Sequence, residues 1–202
     1  MHETINMRFV LATANEHKVK EIKDLLHDAD LLARPKQVGD IPETADSLLG
    51  NARIKAQAVL QITKEASIAD DTGLEVDFLN GAPGVYSARF AGKDATAEQN
   101  RTKLLESMVL AKTQPQRTAR FRTVVFVAFP NGKQIYTQGT VEGFIATCSL
   151  GDDGFGYDSL FIPTEGDGRT FAQMSLEEKQ QISHRAKAFR SLKKILIEEH
   201  IL

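Results

Sequence analysis

The chain of 202 residues holds one cysteine, Cys148, and no tryptophan. A single thiol cannot close an intrachain disulfide, which fits a reducing compartment. One cysteine with five scattered histidines also argues against a zinc site. No apolar run approaches the roughly 20 residues needed to span a bilayer. The N-terminal stretch Met-His-Glu-Thr-Ile-Asn-Met-Arg lacks the apolar core of a secretory leader. The expected location is therefore the cytoplasm, with no membrane partner. Long basic tracts are missing too, and the formal net charge is −2, so a nucleic acid polymer is not an expected ligand. There is no glycine-rich Walker loop, no nucleophilic Ser or Cys with an evident partner, no internal repeat and no linker.

What is present is ordinary for a globular protein: 42% hydrophobic and 26% charged residues. That length can bury a full core, so residues 1–202 are read as one domain. Phe9-Val10-Leu11-Ala12 predicts a strand, and Val19, Ile22 and Leu26 predict a helix from Glu16. Residues 31–47 read as a connector with a short strand at Gln37-Val38. Leu48 to Ala66 predicts a helix, Ser67 to Ala69 a strand, and Leu74 to Phe78 a second one. Ala97 to Val109 reads as an amphipathic helix. Ala119 to Phe129 is rich in Phe, Val and Thr, as strands are. Asn131-Gly132 then signals a hairpin, returning through Ile135 to Val141, with a further strand from Gly143. Ser175-Leu176-Glu177-Glu178 has capping-box spacing and opens one final helix. Strand–helix units around an antiparallel ribbon imply an α/β fold with an elongated mixed sheet flanked by helices.

Five stretches carry possible chemistry. The most informative, residues 68–89, puts Asp70 and Asp71 at the end of an apolar run. Buried paired acids are costly unless a cation, a proton or a basic ligand group compensates them, and an oxygen-only site of this kind suits magnesium. Thr13-Ala14-Asn15-Glu16-His17-Lys18 is a strand-to-helix turn, either an anion site or a plain capped helix start. Glu43, with Asn51 and Lys55 one helical turn apart, adds an acid, an amide and a cation. Gly151-Asp152-Asp153-Gly154-Phe155-Gly156-Tyr157-Asp158 is either a loop that stacks Phe155 or Tyr157 on a flat heterocycle, with Asp158 accepting from a ring N–H, or a glycine-rich loop with buried aromatics. Lys179 with Ser183-His184-Arg185 reads either as donors for keto oxygens or phosphate, or as an exposed helix face paired with Glu177 and Glu178. Together the five meet the needs of phosphoanhydride hydrolysis: acids for metal, cations for polyphosphate, a positioned water and a base pocket.

In order, Thr13-x-Asn15-x-x-Lys18, Asn51-Ala52-x-x-Lys55-Ala56, Ala69-Asp70-Asp71-Thr72-Gly73-Leu74, Gly81-x-Pro83-Gly84-Val85-Tyr86-Ser87-Ala88-Arg89, Gly154-Phe155-Gly156-Tyr157-Asp158 and Glu178-Lys179 with Ser183-His184-Arg185 span residues 9–190. This series resembles the house-cleaning nucleoside-triphosphate pyrophosphatases that act on inosine and xanthosine triphosphates and their deoxy forms. The resemblance implies cleavage between the α- and β-phosphates, with Mg2+, to a nucleoside monophosphate and pyrophosphate. It implies a homodimer whose two lobes surround a central nucleotide cleft. It makes Asp71 the proton acceptor and a metal ligand, with Glu43 and Asp70 in the metal set. Thr13, Asn15, Lys18 and Lys55 are then triphosphate residues, and Thr72 belongs to the substrate-binding set. Phe155, Gly156, Tyr157, Asp158, Lys179, His184 and Arg185 surround the base. The chain departs from the family pattern at Gly50 (usually Glu), Thr72 (Ser), Ser159 (Pro), Gln173 (Glu) and Ala186 (Gly). Rival readings are a related enzyme for pyrimidine or modified nucleotides, and a non-catalytic nucleotide sensor.

Overall fold

The computed structural model describes residues 7–202. Residues 1–6 of the stretch read for a leader lie outside the described residues. Among the described residues, no helix is long and apolar enough to cross a membrane. The strands are β1 (Arg8–Leu11), β2 (Asp30–Leu32), β3 (Ala66–Val76), β4 (Pro83–Gly84), β5 (Thr118–Ala128), β6 (Gln134–Ile145) and β7 (Phe161–Pro163). The α-helices are α1 (Glu16–Leu25), α2 (Leu48–Thr63), α3 (Ala97–Ser107), α4 (Leu176–Ile182) and α5 (His184–Glu198). The strands form one sheet in the order β2-β1-β3-β5-β6-β7, with β4 on β3. β1 is parallel to β2 and β3, whereas β3–β4 and β6–β7 are antiparallel, so the sheet is mixed as expected.

Two compact units divide the chain. The first takes the chain up to Asp71, Thr123–Gln138 and Ala186–Leu202; the second takes Thr72–Arg122 and Gly139–Arg185. In the first, the period-two alternation of β1 sorts its residues to two faces. Phe9 and Leu11 pack with Ile22 of α1, with Leu26 just after it, and with Phe189, Leu192 and Leu196 of α5. Val10 and Ala12 pack instead with Ala52, Ala56 and Val59 of α2. Small residues on α2 let the helix approach the sheet closely. In the second unit, Leu74, Val76, Leu104, Phe121, Val141, Phe161 and Phe171 form one cluster. There Arg117 is buried, and its guanidinium donates to the carbonyls of Ala111, Ile145 and Ala146 at 2.6–3.0 Å.

The structure corrects several boundaries. Ser67–Ala69 and Leu74–Val76 are parts of one strand, β3, since Gly73 stays extended against Gly84 of β4 rather than turning. β3 stops at Val76, and Asp77 and Phe78 lie in a 3-10 turn. Likewise Ile135–Val141 and the stretch from Gly143 are one strand, β6. Gln37-Val38 lies in a single 3-10 turn, and the strand there is β2, seven residues earlier. α2 ends at Thr63 because Lys64 adopts a left-handed conformation, φ 60°. The last helix is two helices: Ser183 is extended, with ψ 152°, and separates α4 from α5.

Candidate active site

Asp70 and Asp71 lie in β3 with 2% and 6% of their surface exposed. The apolar run before them inserts the strand into the sheet, and the two acids are carried in with it. Each has a lysine. Lys18, in the first turn of α1, approaches Asp70 Oδ2 at 3.0 Å. Lys55, from α2, donates to Asp71 Oδ1 and to Glu43 Oε1, both at 2.8 Å. Asn51, one turn earlier on α2 and fully buried, is 3.4 Å from Asp71 Oδ2, and its own carbonyl oxygen accepts from the Ala45 amide. The expected i, i+4 pair on α2 therefore does converge on Asp71. Thr13 and Asn15 are spent locally: Thr13 Oγ1 accepts from the Asn15 amide, and Asn15 Oδ1 accepts from the His17 and Lys18 amides. They cap α1 and thereby fix Lys18 beside Asp70.

The acids and lysines of this group shift one another's titration. Burial pushes the Asp71 carboxyl above its ordinary range; Lys55 opposes the shift and Glu43 adds to it. Burial acts against the charge of Lys55, but Asp71, Asp70 and Glu43 together hold the ammonium above its usual value. Three acids thus share two lysines. Their oxygens are hard donors, and two of them already meet one ammonium nitrogen. Among the described residues, no three His, Cys, Asp or Glu side chains are gathered as a ready cage. Carboxylate oxygens of this kind are the donor type that a hard divalent cation takes.

The second unit gathers the remaining expected residues. Lys179, His184 and Arg185 are 4%, 2% and 1% exposed, so they are not a solvated helix face. Glu178, the imagined partner of such a face, binds Arg169 instead. The extended Ser183 between α4 and α5 is what turns both ends of the motif inward. Lys179 Nζ donates to Asp158 Oδ2 at 2.8 Å and lies 4.9 Å from the Phe155 ring centroid. The Arg185 guanidinium lies 5.5 Å from the same ring, and it donates to the Thr72 hydroxyl at 3.2 Å. His184 stacks on Phe121, ring centroids 4.6 Å apart. Asp158 Oδ2 also accepts from the Phe155 amide at 2.8 Å, so this acid closes the loop and neutralises Lys179 at once. Tyr157 is turned away from that group. Its hydroxyl donates to the Ser87 carbonyl, and burial pushes the phenol well above its usual range, keeping it a neutral donor.

The Gly81–Arg89 motif is architectural. Ser87 Oγ donates to the Gly84 carbonyl and accepts from the Leu74 amide, which ties the motif to β3 just after the acids. Three of the departures have local reasons. A side chain at Gly50 would meet Ala45 Cβ at 2.5 Å, so this loop leaves no room for the usual Glu. Gln173 caps the Thr170 amide at 3.0 Å. Thr72 keeps the hydroxyl that Arg185 uses. Sequence reasoning missed Asn100 and Arg101 of α3, which hold the loops at Ala88–Ala91 and Gly156; an amphipathic helix gives no sign of which polar residue reaches back to a loop.

The model of the Ham1 family matches residues 9–195. The chain is 45% identical over 193 residues to the dITP/XTP pyrophosphatase of Porphyromonas gingivalis, covering 94% of this chain and 97% of that protein. It is 44% identical over 196 residues to that of Desulforamulus reducens, covering 94% and 96%. A Streptococcus pyogenes relative is longer; the chain matches it at 41% identity and spans 58% of it. Among solved structures, the Staphylococcus aureus Ham1 protein matches with a TM-score of 0.84 and 36% identity over 95% of this chain and 99% of that one. A HAM1 protein from Coxiella burnetii gives 0.85 and 37% over the same shares.

Proposed function

The chain belongs to the Ham1 family, and from that premise we propose that it hydrolyses non-standard purine nucleoside triphosphates (ITP, dITP and XTP) to the monophosphate and pyrophosphate. The observation that carries the reading is Asp71, a buried strand acid that shares the Lys55 ammonium with Glu43. Its relatives from Porphyromonas gingivalis and Desulforamulus reducens bear the name dITP/XTP pyrophosphatase, which supports the substrate class. Asp71, Glu43 and Asp70 are the residues that would hold Mg2+. When bound, the ion supplies charge neutralisation at the phosphates.

This chain's own residues do the rest. Lys18 and Lys55, with the amides of the capped α1 turn, hold the triphosphate and oppose its charge. Asp71 orients a water in line with the α-phosphorus and takes its proton, a role for which burial has already raised its basicity. Phe155 stacks on the base, and Lys179, His184 and Arg185 offer donors to a 6-keto oxygen. Adenine presents a donor there and would leave buried groups unpaired, a discrimination worth orders of magnitude. Asp158, Gly156 and Tyr157 shape that base loop, and Thr72 steadies Arg185. We read both units as one domain over residues 1–202, since β3, β5 and β6 each run through both. A cytoplasmic homodimer that engages no nucleic acid polymer completes the reading.

Steady-state rates on inosine, deoxyinosine, xanthosine, guanosine and adenosine triphosphates test the substrate class. The first three are turned over with magnesium, the last two poorly, and chelation stops turnover. Equal rates on all five would overturn it.

A further inference from the structure

We propose that Arg101 of α3 is a positioning residue for the aromatic loop, one that sets affinity for the base rather than the rate of the chemical step. The inference rests on the reading above, in which Phe155 stacks on a purine. Phe155 lies between Gly154 and Gly156, whose φ angles are +78° and +62°. Two glycines give the backbone little restraint of its own, so the ring must be held by bonds from outside. On its N-terminal side the Phe155 amide is fixed by Asp158. On its C-terminal side Arg101 Nη1 donates to the Gly156 carbonyl at 2.8 Å, across 55 residues of chain.

The neighbouring residue does the same for the adjoining segment. Asn100 is buried; its oxygen accepts from the Ala91 amide at 2.7 Å, and its amide donates to the Ala88 carbonyl at 3.0 Å. That segment begins at Ser87, whose carbonyl receives the Tyr157 hydroxyl. Two consecutive residues of one helix therefore fix both the loop that carries Phe155 and the loop that receives Tyr157. The Arg101 bond is charge-assisted, the stronger kind. Without it the Gly156 peptide is free to rotate, and the ring loses its fixed height over the Lys179 and Arg185 cations.

The test compares Arg101→Ala and Arg101→Lys with the unaltered chain by kinetics on ITP and XTP and by amide hydrogen exchange. Arg101→Ala should raise KM about tenfold with kcat within about twofold. Exchange should quicken at residues 155–157. The lysine variant, which keeps a charged donor, should recover part of both. Unchanged KM and exchange would overturn the proposal. So would a parallel fall of kcat and Tm in both variants, which would mark Arg101 as a general stability residue. Faster loop exchange in a protein that turns over no inosine or xanthosine triphosphate would instead defeat the reaction assignment and leave the tether standing.

Discussion

At the scale of the residue, the proposed chemistry turns on Asp71. Its carboxylate shares Lys55 with Glu43, and burial lifts its pKa above the ordinary range. Asp71→Asn keeps the shape and removes the base. Turnover should fall by about 10²–10⁴, while nucleotide binding, measured by calorimetry, stays within a few fold. The sign of the pH dependence follows from the same environment. Only the carboxylate accepts a proton, so kcat/KM is lost as pH falls through the raised pKa. Lys55 is the cation that opposes the rise, so Lys55→Met should move the acid limb to higher pH; a limb that stays in place would remove Lys55 from the account.

At this scale much of the site was legible in the sequence. Two adjacent acids after an apolar run are unusual enough to flag, and Lys18, Lys55, Lys179 and Arg185 each recur at a recognisable spacing. What the sequence withheld is which atoms are already engaged. Asp158 looks like a base acceptor, yet one of its oxygens closes its own loop and pairs with Lys179. Thr13 and Asn15 look like phosphate ligands, and their side chains cap α1. Short polar side chains satisfy nearby backbone first, because the partner is already within reach.

At the scale of the element, helix and strand types were readable except at Gln37-Val38, which is a 3-10 turn, and the ends were not. Ser67–Ala69 and Leu74–Val76 seem separated by a glycine, but Gly73 sits in β3 because β4 packs against it: a Cβ there would meet the Gly84 carbonyl at 2.6 Å. This glycine is a packing requirement rather than a turn signal. Gly73→Ala should therefore cost about 1–3 kcal/mol by overpacking, read as a lower midpoint in urea, and should displace Thr72 from Arg185. A neutral Gly73→Ala would mean that β4 yields easily. The Ser183 break was hidden for the opposite reason. The apolar stripe from Ile182 to Leu196 continues across it, and only tertiary burial of His184 and Arg185 selects two helices over one.

At the scale of the whole molecule, the chain crosses between its two compact units along β3, β5, β6 and α5. The first boundary falls inside β3: Asp71 is the last residue of the first unit's opening segment and Thr72, whose hydroxyl Arg185 contacts, begins the second unit. Continuous strands predict that heat unfolds the protein in one calorimetric transition, with equal calorimetric and van't Hoff enthalpies; two resolved transitions would make the units separate domains. The central claim, however, is about which bond breaks. The most direct measurement is product analysis of the purified protein with ITP and magnesium. The account predicts inosine monophosphate and pyrophosphate in equal amounts, with no orthophosphate. Release of orthophosphate and a nucleoside diphosphate would place the attack at the γ-phosphate and contradict it.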